Sequence, residues 1–108
     1  MRSLMLLGVL AAALSTRAAA QGVDGKTTYD ENCKKCHGAT GTPVAPMKKK
    51  YEKLAAFDAA FFAQRSDDSV VAILTHGKGE NMKSFKDKLK PEEMAAVAKY
   101  IRGFAKAK

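Results

Sequence analysis

Tryptophan is absent from this 108-residue chain, proline occurs three times, and cysteine and histidine occur twice each. Each scarcity excludes something. Without Trp, and with an apolar complement drawn mostly from Ala, Val, Leu and Phe, the core is thin. A domain this small needs a disulfide, a metal or a cofactor to complete it. A structural zinc site takes four ligands, usually as two pairs. Here Cys33, Cys36, His37 and His76 are all that Cys and His can offer, and adjacent Cys36 and His37 would strain a tetrahedron. No stretch alternates with period two, so no strand is expected. The apolar run from Leu4 to Leu14 is about half of the ~20 residues that a membrane-spanning helix needs. Acids are the scarcer charge, 11 against 19 Lys and Arg.

What is present begins with a leader. Arg2, the apolar run, and small residues with Ala18 and Ala20 in an A-x-A pattern describe a secretory signal peptide, residues 1–20, cut after Ala20. The competing reading is an uncleaved N-terminal anchor, against which Arg17 interrupts the run. Residues 21–108 then make a single domain of 88 residues, with 17 basic and 11 acidic side chains and a formal charge of +6. No internal repeat or second linker divides it.

The mature chain reads as helical throughout. Asp24 suits an N-cap, since its carboxylate can accept from the open amides of a first turn. Gly25, Tyr29, Cys33, Cys36 and His37 follow on one broad helix face, and Gly38 and Gly41 break that helix. "TPVAPM" is expected to be extended, held by Pro43 and Pro46, with a helical turn in "KKKYEKL". "FDAAFFAQR" is a further helix capped by Asp58. "SDDSVVAILTHGKG" is another, with Ser66 as N-cap, acids in its first turn, an apolar stripe of Val70, Val71, Ile73 and Leu74, and Gly77 as a left-handed stop. A Gly- and Lys-rich loop, "KGENMKSFKDKLK", leads to "PEEMAAVAKYIRGFAKAK". There Pro91 fits the first helical position and Met94, Val97, Ala98, Ile101 and Phe104 form the inward stripe. Lys90 is a poor N-cap. The fold class is all-α.

Cys33, Cys36 and His37 stand together in "NCKKCHGATG". A redox dithiol of thioredoxin type belongs in a βαβ context, which this chain lacks, and a plain disulfide leaves His37 unexplained. The remaining chemistry uses all three residues. Thioether bonds to two haem vinyl groups need thiols about one helical turn apart, and a histidine directly after the second can ligate the iron. Covalent attachment keeps a small exported domain from losing its cofactor, and a porphyrin supplies the missing apolar filling.

With "GKTTYDENCKKCHG", "AP", "GKGENMKSF" and "EEMAAVAKYIRGF" in that order, the mature chain resembles the class I c-type cytochromes, the small bacterial monohaem kind. The resemblance implies a cytochrome c fold: four to five helices wrapped around one covalently attached haem c, with N- and C-terminal helices crossing at Gly25 and Tyr29 against Val97 and Tyr100. It implies His37 as one axial ligand and usually Met as the other. Met94 lies in the inward stripe, where Met is core filler. Met47 follows His37 by only ten residues, too near to pass the haem edge. Met82, after "GKGEN", is where the family places its ligand, although the usual Met-Pro is here Met82-Lys83. His76 is the bis-His alternative. The family pattern also gives the Pro46 carbonyl to the other ring nitrogen of His37, with Pro43 as the less favoured acceptor.

Such a protein is a one-electron carrier between larger redox proteins of a respiratory or photosynthetic chain, periplasmic, and not an enzyme. Lys34, Lys35, Lys48, Lys49, Lys50, Lys53, Lys78, Lys83, Lys86, Lys88 and Lys90 would then border the haem edge and steer acidic partners. Two rival readings are a c haem that binds a gas or handles peroxide, and a dedicated electron-entry subunit of one larger enzyme.

Overall fold

A computed structural model describes residues 23–106. The expected signal peptide and its cleavage site lie outside the described residues. Six helical segments follow in order: α1 (Gly25–Asn32), α2 (Lys34–His37), α3 (Ala45–Lys50), α4 (Ala59–Ala63), α5 (Asp67–His76) and α6 (Pro91–Lys106). Among the described residues the extended pairing is limited to one isolated bridge between Lys78 and Met82, so the chain is all-α. No helix of the described residues is long and apolar enough to cross a membrane.

The helix starts follow the local chemistry. Asp24 accepts from the Lys26 amide at 3.1 Å and from the Thr27 hydroxyl at 2.7 Å, and the Thr27 bond holds its carboxyl below the ordinary value. Asp58 accepts from the Phe61 amide at 3.0 Å, and Ser66 from the Ser69 amide at 3.1 Å. Each satisfies an amide that the first turn leaves unbonded. Lys90 has no capping side chain, yet α6 is still closed at this end. Glu93 reaches back to accept from the Lys90 amide at 2.9 Å, the reciprocal half of a capping box. Gly77 ends α5 with φ 77°, the left-handed region where a side chain would be strained.

α6 packs against α1, α5 and α4, and its contact with α1 is the principal one. Gly25 makes that crossing possible, because a Cβ there would collide with the Ala96 carbonyl oxygen and lie 3.0 Å from Tyr100 Cβ. Tyr29, fully buried, sits with its ring centroid 5.4 Å from those of both Tyr100 and Phe104, which are 5.0 Å from each other. The tilted and edge-on orientations suit ring quadrupoles, worth about 0.5–1.5 kcal/mol per pair beyond burial. Val97, Ala98 and Ile101 complete the seam.

Two local expectations are corrected. The helix carrying the cysteines divides at Cys33 (φ −123°), although Cys33 N donates to Tyr29 O and His37 N to Cys33 O, so the hydrogen bonds run on through the kink. Pro46 is helical rather than extended. It occupies the second position of α3, where its missing N–H would have had no helical acceptor. That helix ends at Lys50, so most of "KKKYEKL" lies beyond it.

Candidate functional site

The kink at Cys33 leads into a single tight turn bearing both thiols and the imidazole. Cys36 N and His37 N both donate to Cys33 O, at 3.2 and 3.0 Å, and Gly38 N closes on Lys34 O at 2.8 Å. Tyr29 buttresses the turn, its phenol donating to Gly38 O at 2.6 Å. Burial raises that phenol well above its usual value. The turn thereby hangs directly from the α1–α6 crossing.

Neither cysteine is in a disulfide. Burial, with Cys36 as the lesser cause, pushes the Cys33 thiol up to about 11. A dithiol built for redox exchange needs the opposite shift, because the thiolate is the nucleophile. His37 is held below its ordinary value by burial, so its ring is neutral with a lone pair available to a metal. Its Nδ1 is buried and has no hydrogen-bond partner in this structure; no bond joins it to Pro46.

Cys33, Cys36 and His37 line one wall of a cavity of about 740 Å³, within the range of small-molecule and cofactor sites. Phe57, Phe61, Val70, Leu74, Phe85 and Ile101 form much of the apolar wall, and Met82 belongs to it as well. The space is partly open to solvent, and the apolar side chains around it stay in contact with water unless something covers them. An apolar ligand that filled it would take that surface out of water. Unpaired thiols on one turn, an adjacent neutral imidazole with an orphaned nitrogen, and an apolar cavity with a thioether in its wall all fit one covalently held haem.

The other candidate ligands lie elsewhere. Met47, Met94 and His76 are not in the cavity wall. Met94 is buried in α6 with its sulfur 3.7 Å from the Thr75 hydroxyl, and His76 is exposed at the end of α5. Pro46 is exposed in α3.

Several cavity residues were not singled out from sequence. Phe57 stacks on His37, ring centroids 4.9 Å apart and planes 24° from parallel. Phe61 meets Phe57 at 5.1 Å, and the Arg65 guanidinium lies 4.2 Å over Phe61. Arg65, Lys53, Tyr51 and Asn32 bring polar groups to the cavity. Arg65 lies two residues beyond the end of α4 and folds back over Phe61, its guanidinium also donating to Phe61 O at 3.0 Å. Phe57 lies twenty residues from His37, and no local pattern joins them.

Comparisons with known proteins agree with this geometry. Residues 20–101 match the family model described as cytochrome C oxidase, cbb3-type, subunit III. The chain is 35% identical over 108 residues to cytochrome c6 of Nostoc sp. (strain PCC 7120), covering 97% of this chain and 93% of that protein. It is 35% identical over 88 residues to cytochrome c6 of Anabaena variabilis, covering 82% and 96%. Among solved structures it resembles the KustC0563 c-type cytochrome, with a TM-score of 0.69 and 36% identity over 76% of this chain and 98% of the other. The chain belongs to the class I c-type cytochromes. It carries one covalently bound haem c, attached in the family's manner, and serves electron transport rather than catalysis.

Proposed function

We propose that the chain is a soluble, exported electron shuttle. In this reading His37 and Met82 ligate the haem iron and a lysine-rich rim docks acidic redox partners. The observation that carries the ligand pair is the composition of the cavity wall: of Met47, Met82, Met94 and His76, only Met82 shares it with His37. The bound haem supplies a one-electron ferric/ferrous couple. A soft, neutral thioether from Met82 favours the ferrous state more than a second imidazole would. Held by both His37 and Met82, the iron would have no place left for oxygen or peroxide to bind. Cys33 and Cys36 hold the group covalently. We assign the Pro46 carbonyl to His37 Nδ1, which otherwise goes unpaired. That bond would fix the tautomer and the ring plane.

Support for the docking rim comes from the distribution of charge. Lys53, Lys78 and Lys83 stand at the cavity, and Lys34, Lys35, Lys49, Lys50, Lys86, Lys88 and Lys90 are exposed. The two ion pairs among the described residues, Lys26–Asp30 and Arg102–Asp67, use none of these lysines. Their field therefore points outward, where it accelerates encounter with acidic surfaces and is screened by salt. The short basic, apolar and A-x-A leader supports export, and the working place is the periplasm.

The test is the ferric visible spectrum. The weak red charge-transfer band of iron–sulfur bonding should be present in the parent and in Met47→Ala and Met94→Ala, and lost in Met82→Ala. Loss in either of the other two variants, with retention in Met82→Ala, overturns the assignment.

A further inference from the structure

We propose that Ser84 is the clasp that holds Met82 at the cavity, replacing the stiffness of the proline absent from the Met82-Lys83 pair. This rests on the reading of Met82 as axial ligand. A proline after Met82 would fix φ near −65°. Lys83 leaves that torsion free, so the loop needs another restraint to keep the sulfur in place.

The restraint is built on the end of α5. The last carbonyls of a helix have no helical partner, and here the segment after Met82 takes two of them. Phe85 N donates to Leu74 O at 2.8 Å, and the Ser84 hydroxyl donates to Thr75 O at 2.5 Å. The same hydroxyl accepts from Lys86 N at 3.1 Å, so it bridges the helix end to the chain beyond the loop. On the other side of the methionine, Lys78 N donates to Met82 O at 2.8 Å and closes the isolated bridge. The loop runs hard against the helix stop: a Cβ on Gly77 would lie 2.8 Å from both Met82 O and Ser84 N.

Met82 is therefore pinned on both sides. The Lys78 and Phe85 bonds are between backbone groups, which any residue supplies. Ser84 contributes the one restraint that depends on its side chain. Its position is exposed, so water competes for Thr75 O once the hydroxyl is removed, and the tie is worth a small factor rather than the loop's whole stability.

The consequence is measurable, because an added ligand reaches ferric iron only in molecules whose Met82 has swung away. Its apparent affinity scales with that population. Imidazole is titrated into the ferric holoprotein and followed by its absorbance change. Ser84→Ala, which loses both hydroxyl bonds at an exposed position, should bind imidazole about 2- to 5-fold more tightly than the parent. Ser84→Thr, which keeps a hydroxyl, should match the parent. Lys83→Pro placed in the Ser84→Ala chain should return the affinity toward the parent value. Asp67→Ala removes the Arg102 ion pair at the far end of α5 and should leave the imidazole affinity unchanged. That outcome separates a clasp from general loosening.

An unchanged affinity in Ser84→Ala overturns the clasp, as does an equal rise in Asp67→Ala. Met82→Ala is run alongside. If it loses the iron–sulfur band while Ser84→Ala binds imidazole as the parent does, the clasp alone falls. If it keeps the band, the axial reading falls and the clasp with it.

Discussion

At the crossing of α1 and α6, Tyr29 and Ala98 are 0% exposed, Val97 2% and Ile101 3%. Around the cavity, Phe61, Phe85 and Met82 are only partly buried, as are Tyr100 and Phe104 at the edge of the crossing. The first region is protein against protein, with a glycine allowing backbone contact and three aromatic rings locked edge to face. The second is a set of short helices and a loop arranged around a space of about 740 Å³. The first region closes largely on itself, although Tyr29, Val97 and Ile101 also line the cavity, and the second depends more heavily on what fills it. The turn bearing Cys33, Cys36 and His37 sits between them, tied to the crossing by the Tyr29 phenol and opening on the cavity.

The largest expected effect breaks this division. In Cys33→Ala with Cys36→Ala, haem attachment is lost, and the cavity side has nothing to pack against. The apolar wall that the haem would cover is then left facing water. Far-UV circular dichroism should show helix content falling toward what α1 and α6 supply, roughly half of the helical residues, and the protein mass should lack the haem. Native-like helix content without haem would mean the two regions are not unequal.

Gly25→Val attacks the crossing. Its side chain would push against the Ala96 carbonyl and Tyr100, at a cost of about 1–3 kcal/mol or more. Thermal unfolding of the holoprotein should move down by several degrees while the iron–sulfur band stays. A loss of that band at room temperature would show that the crossing and the ligand loop are one cooperative unit.

Tyr29→Phe is the finer probe. It removes the phenol from the buried Gly38 carbonyl and leaves it only the long 3.4 Å bond from Gly41 N, costing about 1–2 kcal/mol. The ring packing survives, so stability should fall with little change in reduction potential. A large potential shift would mean that the buttress positions His37 and does more than hold the turn.

Much of this was readable in the chain. Cys33, Cys36 and His37 are adjacent in sequence, so their chemistry is set by spacing alone, and caps such as Asp24, Asp58 and Ser66 act within three residues. What escaped depends on distance. Phe57 on His37 and Ala96 against Gly25 are contacts across many residues with no local signature. Glu93 closing α6 at Lys90 is local, but the usual signature pairs such a glutamate with Ser or Thr at the cap, and Lys90 breaks that pattern. Pro46 was misread because two prolines suggest extension, whereas the second position of a helix accepts one readily. The kink at Cys33 belongs with these, since it bends the helix so that one turn serves both the crossing and the cavity.

The most direct test follows the methionine methyl groups by NMR in the reduced holoprotein, with 13C-labelled Met and single substitutions for assignment. A methyl held over the porphyrin face is moved far upfield by the ring current. The account predicts that this resonance belongs to Met82 and that those of Met47 and Met94 stay in the ordinary methyl range. An upfield methyl assigned to Met47 or Met94, or none at all, would contradict it.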